Sequence, residues 1–106
     1  MATIQTNDGT FLNISNKLLH ECQVLYMMSE ELSGILPLPN INTSVFLNIL
    51  EFSENGILVN YDMVREVILA ADYLNYTELI EHCAEYIAKY IIKGNTVKEI
   101  REYFVA

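Results

Sequence analysis

Basic residues are scarce in this chain: six Lys and Arg stand against fourteen Asp and Glu, a formal net charge of -8 over 106 residues. Affinity for nucleic acid comes largely from basic side chains that displace counterions condensed on phosphates, so this balance argues against a DNA or RNA partner. It favours basic protein partners instead. Cysteine is also sparse: Cys22 and Cys83 are too few for a disulfide scaffold, which fits a reduced cytoplasmic or nuclear setting. Long apolar runs are missing, because Asn, Glu and Lys interrupt the hydrophobic segments, and no bilayer span is expected. The first residues lack a basic region ahead of an apolar core and the last carry no lipidation signal, so neither secretion nor anchoring is expected. There is no Gly-rich phosphate loop, hydrolase elbow, internal repeat, linker or low-complexity stretch.

What remains is apolar and patterned. With 52% hydrophobic and 19% charged residues the chain is too apolar for a disordered tail. Its length suits one domain that buries roughly two thirds of its unfolded surface, and makes a two-domain enzyme a poor fit.

Residues 3–6 and 11–14 read as two short strands around Asn7-Asp8-Gly9-Thr10, where Asp and Gly supply the side-chain bonding and positive φ of a tight turn. Ser15 is placed to cap a short helix through Leu19, and a second helix is predicted over 23–32 with Val24, Leu25 and Met28 as its stripe. Residues 35–38 are apolar and brief, and Pro37 removes a ladder donor, so an edge strand or extended segment is expected. Asn42 or Thr43 caps a helix to Glu54 with Val45, Phe46, Ile49, Leu50 and Ser53 at helical spacing, and Asn55-Gly56 supplies a left-handed stop. Another short strand is expected at 57–59.

A helix over 62–74 carries Val64, Val67, Ile68, Ala71 and Leu74 on one side and ends at Asn75-Tyr76. Thr77 is placed to cap the next helix, where Leu79, Ile80, Cys83, Ile87 and Tyr90 or Ile91 keep the period until Gly94, so the two predict a helical hairpin. Thr96-Val97-Lys98-Glu99 has capping-box spacing and predicts a last helix of about two turns with Val97, Ile100 and Phe104 on one face and Arg101 at its edge.

Catalysis is not expected. His82 and Cys83 are adjacent on one helix, about 100° apart around it, and form no nucleophile and base pair; Cys83 reads as a small core residue. His20, Cys22, His82 and Cys83 lack the spacing of a zinc finger or ribbon, and neither a metal nor a cofactor is expected.

Four separated segments carry a family resemblance. Ile4-Gln5-Thr6-Asn7-Asp8-Gly9 is similar to the opening hairpin of Skp1-like proteins, and Leu36-Pro37-Leu38-Pro39-Asn40-Ile41 resembles their P-L-P-N-V segment. Ile68-Leu69-Ala70-Ala71-Asp72-Tyr73-Leu74 looks like I-L-A-A-N-Y-L, with Asp72 where Asn is common. Lys93-Gly94-Asn95-Thr96, with Glu99-Ile100-Arg101 and Phe104, resembles K-G-K-T-x-E-E-I-R-x-x-F. Together they resemble the Skp1, elongin C and BTB/POZ family. Against that family, the long acidic loops are absent, the 52–62 connection is short as in ordinary BTB domains, and the pattern stops soon after Phe104, short of the last two Skp1 helices.

The resemblance implies an α/β (α+β) fold of the BTB/POZ type, a small, mostly N-terminal sheet flanked by helices. Residues 1–92 would form the core and 93–106 a short, truncated Skp1-like C-terminal helix. It implies a non-enzymatic adaptor of a cullin-RING (SCF-type) ubiquitin ligase, bridging a cullin scaffold to an F-box or similar helical-box protein. The cullin side maps to Asn42, Phe46, Asp72, Tyr73 and Asn75, and the F-box side to Tyr86, Ile87, Tyr90, Ile91, Val97, Ile100, Arg101 and Phe104. By periodicity alone that second stripe equally suits plain core packing. Two alternatives stay open: a BTB-like self-association or protein-interaction module, and a one-sided mimic competing with a host Skp1-type adaptor. The free chain is expected to be a monomer or weak dimer.

Overall fold

A computed structural model describes residues 2–32, 34–58 and 60–91. Its chain starts with a hairpin, β1 (Ala2–Gln5) and β2 (Phe11–Ile14), paired antiparallel with Ile4 opposite Leu12. Gly9 takes φ +85° in the turn, where the Gly9 amide donates to the Thr6 carbonyl at 3.0 Å. That left-handed backbone is open to glycine without a Cβ penalty. Ser15 Oγ accepts from the Leu18 amide at 3.2 Å and starts α1 (Asn16–Glu21), which runs two residues past its expected end. Buried Cys22 is extended and joins α1 to α2 (Gln23–Glu31), in which Leu25 alone of the expected stripe is fully buried.

The chain then returns as β3 (Ile35–Pro37), parallel to β1, giving the order β2-β1-β3. Pro37 therefore lies on an edge strand, where its missing amide proton costs no ladder bond, and the next amide, Leu38, donates to Gln5 at 2.8 Å.

The cap of α3 (Thr43–Asn55) is Asn42, whose Oδ1 accepts from the Val45 amide at 2.9 Å, and Gly56 ends the helix at φ +75°. Val45, Phe46, Ile49, Phe52 and Ser53 face inward, as does Asn48, which the apolar stripe did not include.

No strand forms at 57–58, and Val59 lies outside the described residues. The reason lies in α3. Asn48 Oδ1 accepts from the Asn60 amide at 3.1 Å, so a side chain of α3 pins this segment in place of a ladder, while Leu58 enters the core. Asn60 in turn caps a 3₁₀ turn, Tyr61–Met63, which opens α4 (Val64–Leu74).

All five expected stripe residues of α4 are buried. Asn75 closes the helix in the left-handed region at φ +55°, a conformation Asn tolerates better than most L-residues. The N-cap position of α5 (Thr77–Tyr86) is Tyr76, not Thr77, and no side chain caps it. Tyr76 is only 1% exposed; burial of its ring decides this position over capping chemistry. α4 and α5 pack as the expected helical hairpin, and α5 passes into a π-helical turn, Ile87–Ile91, rather than continuing with an α period. The predicted last helix lies outside the described residues, as does the proposed 93–106 segment. A single core joins the sheet to the helices through Ile4, Leu18, Leu36, Phe46, Val67 and Leu74. This is the small sheet and helix arrangement expected of the α/β BTB/POZ type.

Candidate interaction surfaces

The outer face of α4 carries an apolar pair that the core does not use. Leu69 is 45% and Tyr73 41% exposed, although Val67, Ile68, Ala70, Ala71 and Leu74 around them are buried. Packing of α4 against α3 on one side and α5 on the other leaves a depression beside each seam. One, of about 340 Å³, is lined by Asn40, Ile41, Asn42, Val45, Glu66, Leu69, Ala70 and Tyr73. The other, of about 280 Å³, is lined by Ile68, Leu69, Asp72 and Ile80. Leu69 is the ridge between them.

The structure thus brings Asn42 and Tyr73 of the predicted cullin side to one cleft, with Asp72 exposed beside it. Asn42 is exposed while its Oδ1 is committed to the helix cap. Asn75, also exposed, donates through Nδ2 to Gln23 Oε1. Phe46 is a correction: it has no exposed surface and belongs to the core. It points inward because its position on α3 falls on the same face as Val45, Ile49 and Phe52, whereas its neighbour Leu47 is 48% exposed. Glu66 and Leu69 also line that cleft. Both were visible in the sequence at helical spacing from Tyr73, but nothing local separates an outward Leu from a core one.

Of the predicted F-box side, Tyr86 is half-buried and stacks on Tyr61 with ring centroids 4.4 Å apart. Tyr61 Oη meets His82 Nε2 at 2.9 Å, and His82 lies 5.1 Å from Phe52, so the four rings tie α3, the 3₁₀ turn and α5 together. Ile87 is a second correction. It is 1% exposed and packs in the core, since the turn after α5 keeps it on the inward face below Cys83. The side chains of Tyr90 and Ile91, and all of Val97, Ile100, Arg101 and Phe104, lie outside the described residues.

His82 and Cys83 face different neighbours: the imidazole meets Tyr61, while the Cys83 thiol is fully buried and pushed up to about 12 by desolvation. A neutral buried thiol is a poor nucleophile. Among the described residues, no three His, Cys, Asp or Glu side chains are grouped to hold a metal ion. No described helix is long and apolar enough to cross a membrane.

Residues 11–91, most of the chain, match the BTB/POZ domain family. The chain belongs to the BTB/POZ family. This BTB/POZ domain is also similar to Skp1-like proteins. SKP1-like protein 9 of Arabidopsis thaliana is 26% identical over 124 residues, spanning 95% of this chain and 80% of its own. SKP1-like protein 11 of the same plant is 26% identical over 126 residues, spanning 98% and 82%. The E3 ubiquitin ligase complex SCF subunit sconC of Aspergillus flavus is 24% identical over 132 residues, spanning 96% and 81%. The resemblance seen in the four sequence segments is thus to the right family.

Proposed function

We propose that this BTB/POZ domain is a non-enzymatic adaptor of an SCF-type ubiquitin ligase, joining a cullin N-terminal domain to an F-box-like receptor in the cytoplasm or nucleus. The observation that carries the reading is similarity over more than nine tenths of the chain to a protein named as an SCF subunit. The exposed Leu69 and Tyr73 support a docking role for the α4 face, because large apolar side chains left outside a core commonly anchor a partner. On this reading the cullin meets Asn42, Leu69, Asp72, Tyr73 and Asn75. The receptor meets the region of Tyr86, Tyr90, Ile91, Val97, Ile100, Arg101 and Phe104. The mechanism of such an adaptor is geometric: holding two partners together raises the effective concentration of substrate near the ubiquitin-loaded enzyme.

The test is a binding assay of the purified chain against a cullin N-terminal domain and, separately, a folded F-box segment. Binding to both is expected. Binding to neither by the folded protein would falsify the adaptor reading, and binding to the cullin alone would favour the one-sided mimic.

A second reading, self-association, has its own support. Met27, Leu32 and Ile35 are 53%, 45% and 47% exposed, and Leu32 and Ile35 line a depression of about 470 Å³ between the sheet and α1 and α2. A stable dimer in light scattering at micromolar concentration would favour it over the monomeric adaptor.

A further inference from the structure

Two of the four glycines follow a side-chain carbonyl that the glycine's own backbone nitrogen can reach, in Asp8-Gly9 and Asn55-Gly56. Glycine favours such a ring closure, because no Cβ stands in the way and its backbone is the freest. At Asp8 the reaction is blocked: the Thr6 and Thr43 hydroxyls bind the carboxylate, and a carboxylate offers no leaving group. At Asn55 the leaving group is ammonia, and no charge protects the carbonyl. Asn55 and Gly56 are both exposed, and among the described residues nothing lies within 4 Å of where a Cβ on Gly56 would stand, so water reaches the pair.

What holds the pair is the last turn of α3. The Gly56 amide donates to the Phe52 carbonyl at 2.8 Å, and Asn55 Nδ2 donates to Glu51 Oε1. From α1, Lys17 Nζ donates to the Ser53 carbonyl at 2.6 Å, and Ser53 Oγ donates back to Glu21 Oε1 at 2.9 Å. Ring closure needs Asn55 to leave its helical ψ and the Gly56 nitrogen to give up its proton, and these bonds oppose both. We propose that Asn55 is a deamidation site gated by this turn, closed while the Gly56 amide is bonded to Phe52 and open when the turn frays. In the open state the Gly56 nitrogen bonds to Asn55 Cγ, the Cγ–Nδ2 bond breaks, the amide proton passes through solvent to the departing nitrogen, and ammonia leaves. Water then adds to one carbonyl of the cyclic imide and returns either an aspartate at 55 or an isoaspartate link that carries the chain through Cβ. The aspartate puts a negative charge at a helix C-terminus that already carries Glu51 and Glu54, where the helix dipole disfavours it. The isoaspartate adds a backbone atom ahead of Gly56, which breaks the stop of α3 just before Leu58 enters the core and Asn48 holds the Asn60 amide. Modification thus records each loosening of the end of α3 and then makes the loosening permanent. None of this depends on the adaptor reading.

The experiment follows conversion at residue 55 by peptide mass spectrometry, with isoaspartate scored by enzymatic methylation, in the folded full-length chain and in an unstructured peptide of residues 50–60. Amide hydrogen exchange at Gly56, measured on the same folded sample, gives the fraction of time the turn is open. The native rate is expected to equal the peptide rate multiplied by that fraction. Lys17→Met, which removes the bond from α1 to the Ser53 carbonyl, should raise exchange at Gly56 and conversion at 55 together by about two- to tenfold. Urea below the unfolding transition should raise the two in the same proportion, which keeps the test open should Lys17→Met not fold. Conversion in the native chain as fast as in the peptide overturns the gate. Conversion that does not follow Gly56 exchange, or none after the time that exchange predicts, overturns the site.

Discussion

Thr43 Oγ1 donates to Asp8 Oδ1 at 2.7 Å, so a carboxylate in the first hairpin turn closes the start of a helix 35 residues later. Thr6 Oγ1 also donates to Asp8 and lies 3.0 Å from Thr43 Oγ1, which makes the three side chains one cluster between the sheet and α3. The negative charge sits at a helix N-terminus, where unpaired amides favour it.

These contacts hold the Asp8 carboxyl down, from 3.8 to about 2, first through the Thr6 hydroxyl and then through Thr43. A carboxyl with a depressed folded value stabilises the fold above its unfolded value and loses that contribution as pH falls through the folded one. Asp8→Asn should therefore melt below the wild type by a constant gap above pH 5, and the gap should close between about pH 4 and about pH 2. Melting temperature against pH for both proteins checks this. A gap independent of pH would assign the effect to side-chain shape rather than charge.

Tyr76 is buried, and among the described residues its hydroxyl has no hydrogen-bond partner within bonding geometry. It sits beside Ser53 and Glu21, but those two are bonded to each other at 2.9 Å, and burial is the largest cause raising the phenol above its ordinary value. Removing an unsatisfied buried hydroxyl relieves a desolvation cost, so Tyr76→Phe should be neutral or stabilise by up to about 1 kcal/mol. Urea unfolding measures it. Destabilisation beyond about 1 kcal/mol would mean that the hydroxyl bonds Ser53 or Glu21 in solution.

Phe46 and Tyr73 were both expected on the cullin side, and they should now separate. Phe46→Ala opens a cavity in the core and should cost about 3–5 kcal/mol in chemical denaturation. Tyr73→Lys changes an exposed side chain and should stay within about 0.5 kcal/mol of the wild type while abolishing cullin capture. Loss of fold in Tyr73→Lys would make Tyr73 a structural residue.

Cys22 and Cys83 are both fully buried, and desolvation pushes each thiol up to about 12. Neither should react with a thiol reagent in the native protein, and both should react once denaturant unfolds it. The labelling rate should follow unfolding, not the thiolate fraction of a free cysteine. Fast native labelling of either would place that residue at the surface.

Much of this fold could be read locally. The Gly9 turn, the Ser15 cap, the Gly56 stop and the Asn75 break each depend on one residue's own stereochemistry or on a partner within three positions. Thr77 shows where local reading fails: it has good capping chemistry, but the large ring of Tyr76 has to be buried and takes the cap position. No strand forms at 57–58 for a related reason, since Asn48 arrives from another element to satisfy the Asn60 amide.

By itself, the sequence determined the order of helices and turns, the family and an acidic character that disfavours nucleic acid, because these rest on local stereochemistry, motif order and summed charge. Only the tertiary structure decided that Phe46 is core and not part of the cullin side, and that Leu69 stands as a ridge between two clefts with Glu66 and Asp72 on its flanks. Both Leu69 and Ile68 are apolar residues of one helix. Which of them meets solvent depends on where α3 and α5 pack against α4, and that is set by contacts between segments far apart in the chain.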